Sequence, residues 1–140
     1  MGKVLTGIGI VGIIGILVLF FMAGESPATA GSRFMAELQT GDADTLTNMS
    51  YVAGKSHDQI ESEWKDTVKY GQYYKWKWAV DGADTIRDDQ AKVRMRLMRN
   101  IQNNTSYDEN YYLPLVKKDG KWMVDVIALN RGIYPFLPRG

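Results

Sequence analysis

Residues 90–101, QAKVRMRLMRNI, decide the fold: Val93, Met95, Leu97 and Ile101 alternate with Lys92, Arg94 and Arg96, the two-residue period of a half-buried strand. The same period runs through residues 73–81, YYKWKWAVD, where Tyr74, Trp76, Trp78 and Val80 share one face and Lys75, Lys77 and Asp81 the other. Arg87-Asp88-Asp89 turns the chain between these runs. Downstream, Asn103-Asn104-Thr105 makes a second turn, Tyr111, Leu113 and Leu115 continue the alternation, and Lys118-Asp119-Gly120 forms a hairpin into Trp122, Val124 and Val126. The expected sheet is a four-stranded antiparallel meander. Pro114 lacks a backbone donor, which places it at a bulge or turned away from the ladder.

Upstream of the strands the period is helical. Ser26 and Pro27 supply an N-cap and a first helical residue, Phe34, Met35 and Leu38 recur on one side, and Gly41 closes the segment. Asp42 caps a short second helix through Leu46 and Met49. Ser56 with Gln59 is a capping-box signature for a third, with Ile60, Trp64, Thr67 and Val68 on one face and Gly71 at its end. Three helices before four strands define an α+β domain with the helices on one sheet face. Its covered face carries Trp76, Trp78, Trp122 and Tyr111, each worth a few kcal/mol when buried, on the order of the usual area estimate.

Residues 4–24, VLTGIGIVGIIGILVLFFMAG, carry no charge, and 21 residues at a helical rise of about 1.5 Å match the roughly 30 Å hydrocarbon core. The expectation is a transmembrane anchor over residues 1–25. A cleaved signal peptide, with Ala28-Thr29-Ala30 as its processing site, competes with this, but the run exceeds the usual apolar region of about 7–15 residues. Gly9, Gly12 and Gly15 form a narrow helical strip on which another helix backbone can approach. Lys3 before the segment and Glu25 after it orient the amino terminus to the cytoplasm and residues 26–140 to the periplasm or exterior.

The 140-residue chain has 17 Lys+Arg against 16 Asp+Glu, a net charge of +1, which gives no support to a nucleic-acid binder. With no cysteine and one histidine, disulfides, thiolate metal sites and His-rich metal sites are excluded, and no cofactor or metal is implied.

The order of elements resembles the NTF2-like, cystatin-related α+β cone. Arg33-Phe34-Met35-Ala36-Glu37-Leu38-Gln39-Thr40-Gly41-Asp42-Ala43-Asp44 reads like its opening helix and turn, and Gly120-Lys121-Trp122-Met123-Val124 is similar to its closing hairpin and last core strand. The resemblance covers about Ser26 to Ile127. It implies a curved sheet wrapped on helices and, in many bacterial members, a single membrane helix carrying an accessory or assembly factor of an envelope complex. Catalytic relatives place an Asp or His with a Tyr inside the cone. This chain departs from that pattern: His57 sits beside a helix cap, Asp42, Asp58, Asp88 and Asp119 occupy caps and turns, and no carboxylate is read on an inward strand position. No catalytic residue is assigned.

Three non-catalytic groupings remain. Tyr74, Trp76, Tyr111 and Trp122 could line a small-molecule cavity, although core packing is the commoner fate of inward aromatics. Lys75, Lys77, Lys92, Arg94 and Arg96 would converge on the outer sheet face as a basic patch, although alternating charges are normal there. In the tail, residues 129–140, Ile133, Tyr134, Phe136 and Leu137 have no place in a completed cone and are expected to cover a surface, a partner's in preference to the chain's own.

These readings converge on a non-catalytic accessory subunit of a larger integral-membrane complex, photosynthetic or respiratory, in the inner membrane. Its expected partners are other membrane subunits and the lipid bilayer. The alternative is a membrane-tethered periplasmic domain that binds or transforms a small apolar molecule.

Overall fold

The structure is a computed structural model that describes residues 24–71, 76–99, 107–134 and 136–139. Gly9, Gly12 and Gly15, and most of the apolar run, lie outside the described residues, as do Tyr74, Lys75 and Ile101. Among the described residues no helix is long and apolar enough to cross a membrane.

Helix α1, Pro27–Thr40, begins where Ser26 accepts the Thr29 N–H at 3.2 Å and ends at Gly41, whose φ of 79° is the left-handed cap that glycine favours. Asp42 then accepts the Thr45 N–H at 3.1 Å to start α2, Ala43–Asn48. The hydrogen bond to this N–H lowers the Asp42 pKa. Helix α3, His57–Gly71, opens with a reciprocal capping box: Gln59 N–H donates to Ser56 Oγ at 3.3 Å, and Ser56 N–H to Gln59 Oε1 at 2.9 Å.

Five strands, not four, form the sheet: β1 Ser50–Tyr51, β2 Lys77–Arg87, β3 Gln90–Arg99, β4 Tyr107–Lys118 and β5 Lys121–Asp125, in the order β1-β5-β4-β3-β2. The last four strands are the expected antiparallel meander. The extra strand β1 runs parallel to β5, with Ser50 opposite Val124, and the Val124 N–H reaches the Met49 carbonyl at 2.7 Å. Two residues are too short to show a period, so nothing local announces this strand.

Strand β2 keeps its inward phase only to Val80. A register shift between Val80 and Gly82, whose φ is 134°, moves that phase to Ala83. Pro114 pairs in register with Lys92 without a bulge, and the ladder to β5 stops one residue later at Leu115 and Val124.

The core lies between the sheet and the helices. Ala91, Val93, Met95 and Leu97 of β3, with Leu113 and Leu115 of β4, pack beneath Phe34, Met35 and Leu38 of α1. Gly31 is required in this packing because a β-carbon there would stand 2.8 Å from Val93. Trp64, fully buried on α3, meets Phe34 edge-on at 5.9 Å and donates its indole N–H to Ser50 Oγ at 2.8 Å. Ser50 in turn donates to the Leu46 carbonyl at 2.6 Å, so one hydroxyl joins α2, α3 and β1.

Three of the four apolar tail residues, Ile133, Tyr134 and Leu137, turn inward. After a short turn at Val126–Ala128, residues Leu129, Ile133, Tyr134 and Leu137 enter the chain's own core, which corrects the expectation that they were surplus to it. Side chains fasten the tail's backbone: Arg131 donates to the Leu137 and Pro138 carbonyls at 2.7 Å each, Thr67 to that of Phe136, and Lys55 to that of Arg139. Strand periodicity is blind to such a segment, because its order comes from carbonyls satisfied one at a time.

Candidate functional site

The end of the sheet where β3 finishes and β4 begins holds a largely buried cluster of opposite charges. Leu97 pairs with Glu109 and Met95 with Tyr111, so Arg99, Glu109 and Tyr111 share the inward phase of Leu97 and Leu113. Arg99 Nε lies 2.6 Å from Glu109 Oε1, with side chains only 11% and 28% exposed. The Tyr111 hydroxyl donates to the same carboxylate. Burial, and then this hydrogen bond, push the Tyr111 pKa above its ordinary value, against the opposing pull of Arg99.

Glu109 corrects the sequence reading, which found no carboxylate on an inward strand position. That reading began the strand at Tyr111, whereas β4 begins at Tyr107 and carries Glu109 onto the inward face. The available signal was Glu109 itself, two residues before Tyr111 and therefore in phase with it.

The cluster faces the tail. Arg99 donates to the carbonyl of Gly132 and, at 3.3 Å, to that of Ile133. Gly132 lies against Tyr111, whose hydroxyl would be 2.9 Å from a β-carbon built on the glycine. Next in the tail, Tyr134 meets Trp76 edge-on at 6.2 Å and abuts Gly71 at the end of α3, and its burial raises its pKa. The carboxylate and guanidinium are thus directed at each other, at a phenol and at backbone. Their visible work is to seat the tail.

The four aromatics expected to line one cavity divide. Trp76 is buried and Tyr111 half-buried at the tail end, while Trp122 is half-buried on β5 with Lys117 Nζ 5.5 Å from its ring centre; Tyr74 lies outside the described residues. The expected basic patch also divides. Arg94 pairs with Asp84 at 2.9 Å, and Arg96 with Asp81 at 2.8 Å and Asp108 at 3.7 Å. The Asp81 hydrogen bond raises the Arg96 pKa further. Lys92 stands over the Tyr112 ring at 5.7 Å, and Lys77 is exposed. Carboxylates from β2 and β4 therefore offset the arginines.

His57, Asp58 and Glu61 bring three ligand atoms within 4.8 Å of one another, but His57 also faces Asn48 Oδ1 at 3.1 Å and Asp58 is almost wholly exposed. Beside them, Asp44 and Glu61 share a hydrogen bond that raises the Asp44 pKa and lowers that of Glu61, which Lys65 also holds down. This surface knot ties α2 to α3.

Of the four tail residues singled out in the sequence, Phe136 alone faces outward. It is 64% exposed, and its ring lies 5.3 Å from that of Tyr70, which is itself 56% exposed. Its φ of 60° is a left-handed conformation that a bulky side chain adopts only when its surroundings impose it. Here Thr67 grips the Phe136 carbonyl and Leu137 is buried next to it.

No family model and no curated protein matches the chain. Among solved structures it is similar to NTF2-like proteins. One, from Campylobacter jejuni and provisionally described as an NTF2-like transpeptidase, is 23% identical and aligns over 71% of this chain and 97% of its own, with a TM-score of 0.48. Another, an NTF2-like protein of unknown function from Shewanella oneidensis, is 14% identical over 71% of this chain and 94% of its own, with a TM-score of 0.44.

Proposed function

We propose that the chain is a non-catalytic accessory subunit of a larger integral-membrane assembly. The apolar segment 4–24 tethers it to the inner membrane, and the NTF2-like lobe contacts neighbouring subunits on the extracytoplasmic side. One observation carries this reading: Phe136 and Tyr70 form an exposed aromatic pair on a strained, clamped backbone, where solvent alone would favour neither the exposure nor the strain. Gentle-detergent extraction of the full chain should recover it in stoichiometric complex with other membrane proteins. Recovery as a lone monomer would refute the proposal.

A second reading, a tethered domain acting on a small apolar molecule, draws on Glu109 and Tyr111 at inward positions beside Arg99. It predicts that E109Q or Y111F changes affinity for such a ligand at unchanged stability. A tail-seating role predicts the reverse.

A further inference from the structure

We propose that the β4–β5 hairpin, residues 117–122, is a foot that rests on the anionic phospholipid headgroups of the bilayer. This inference rests on the membrane tether of the preceding section.

The first support is position. Glu25 follows the apolar segment directly, and Glu25, Arg33, Gly120, Lys121, Trp122 and Met123 line one groove of about 210 Å³. The hairpin therefore stands beside the point at which the chain leaves the hydrocarbon. Helix α1 then leads away from that point, its 14 residues covering about 21 Å at the helical rise. At its far end Gln39 donates to the Trp76 carbonyl at 3.2 Å, beside the tail. The hairpin and the Tyr70–Phe136 pair thus occupy opposite ends of the lobe.

The second support is chemistry. Lys117, Lys118 and Lys121 are exposed. Lys117 stands 5.5 Å from the centre of the Trp122 ring and Lys118 4.6 Å from that of Tyr51, so two ammonium groups are mounted over aromatic rings. Indole and phenol rings prefer the headgroup level, and long lysine stems let the charge reach phosphates while the methylenes stay near apolar atoms. Asp119 is the carboxylate within the hairpin, and Asp88 and Asp89 occupy the neighbouring turn, where the Asp89 carbonyl accepts the Lys117 N–H at 2.8 Å. Glu25 adds little negative potential, because Arg33 holds both its oxygens, at 3.2 and 2.8 Å.

The test uses the full chain in lipid nanodiscs with a nitroxide on M123C, a unique thiol because the chain has no cysteine. Collisional relaxation by oxygen and by a water-soluble nickel chelate reports label depth. Discs containing phosphatidylglycerol should shield the label from nickel relative to purely neutral discs, and high salt should reverse the shift in the unmodified lysine background. The K117Q/K118Q/K121Q variant should lower the docking constant on the order of a hundredfold, from roughly fivefold per lysine. K77Q, at the opposite end of the sheet where Lys77 pairs with Met98 and Met98 with Asp108, should leave it unchanged.

Equal accessibility in the two lipid compositions would overturn the proposal while leaving the tether intact. A shift produced in neutral discs by inorganic phosphate alone would also overturn it, by making the hairpin a phosphate site. A chain that never enters the discs would sink the tether and the foot together. The salt response keeps the test valid if the triple variant folds poorly.

Discussion

Gly71 and Tyr134 pack so closely that a β-carbon on the glycine would overlap the tyrosine ring and hydroxyl. The contact joins the end of α3 to the tail, which makes the tail part of the domain's core.

G71A should therefore destabilise the fold. Alanine gains up to about 1 kcal/mol in helix propensity, but overpacking costs about 1–3 kcal/mol and displaces Tyr134. The expected net loss is about 1 kcal/mol or more by urea unfolding. Y134A should cost less in the G71A background than alone, because the clash has already spent part of that contact.

Arg99 and Glu109 should differ in importance. E109A leaves a mostly buried guanidinium without its carboxylate and should cost about 3 kcal/mol. R99A should cost at least as much, because it also releases the Gly132 and Ile133 carbonyls. Carboxypeptidase digestion should shorten R99A faster than E109A. Equal rates would contradict the tail-seating role.

Much of this fold was legible in local chemistry. Ser26-Pro27, Asp42 and the Ser56/Gln59 box mark helix starts that the backbone adopts, and the alternation of Val93, Met95 and Leu97 gives β3 its face. What escaped was non-local. Strand β1 exists because the Met49 carbonyl meets Val124, the phase of β2 changes at a bulge, and Glu109 points inward because β4 starts earlier than its apolar residues do. Of the candidate site, the tail's apolar residues were visible as a group. Which of them turned inward was not, because that depends on Thr67, Arg99 and Arg131 binding carbonyls far away in sequence or across a turn.

The tyrosines should report the tail through alkaline pH. Burial raises the pKa of both Tyr111 and Tyr134, so the folded state holds these protons more tightly than the unfolded state. Their contribution to stability is complete below about pH 10, the ordinary phenol value, and is lost as pH rises through the folded values. Phenolate absorbance should show these two ionising above the ordinary phenol range, together with loss of the fold. Ionisation of Tyr111 and Tyr134 at about pH 10, the ordinary phenol value, with the fold intact would contradict their burial.

Phe136 should separate stability from binding. F136G removes an exposed ring and relieves a left-handed backbone, so the lobe should be as stable as the wild type or up to about 1 kcal/mol more so. Thermal unfolding would check this.

Comparing wild type and F136G in stoichiometric co-purification from native membranes provides the decisive measurement. The proposed role predicts that the wild-type chain is isolated in fixed ratio with other membrane subunits and that F136G, equally folded, loses them. A wild-type chain recovered alone, or an F136G chain that keeps the same partners in the same ratio, would contradict it.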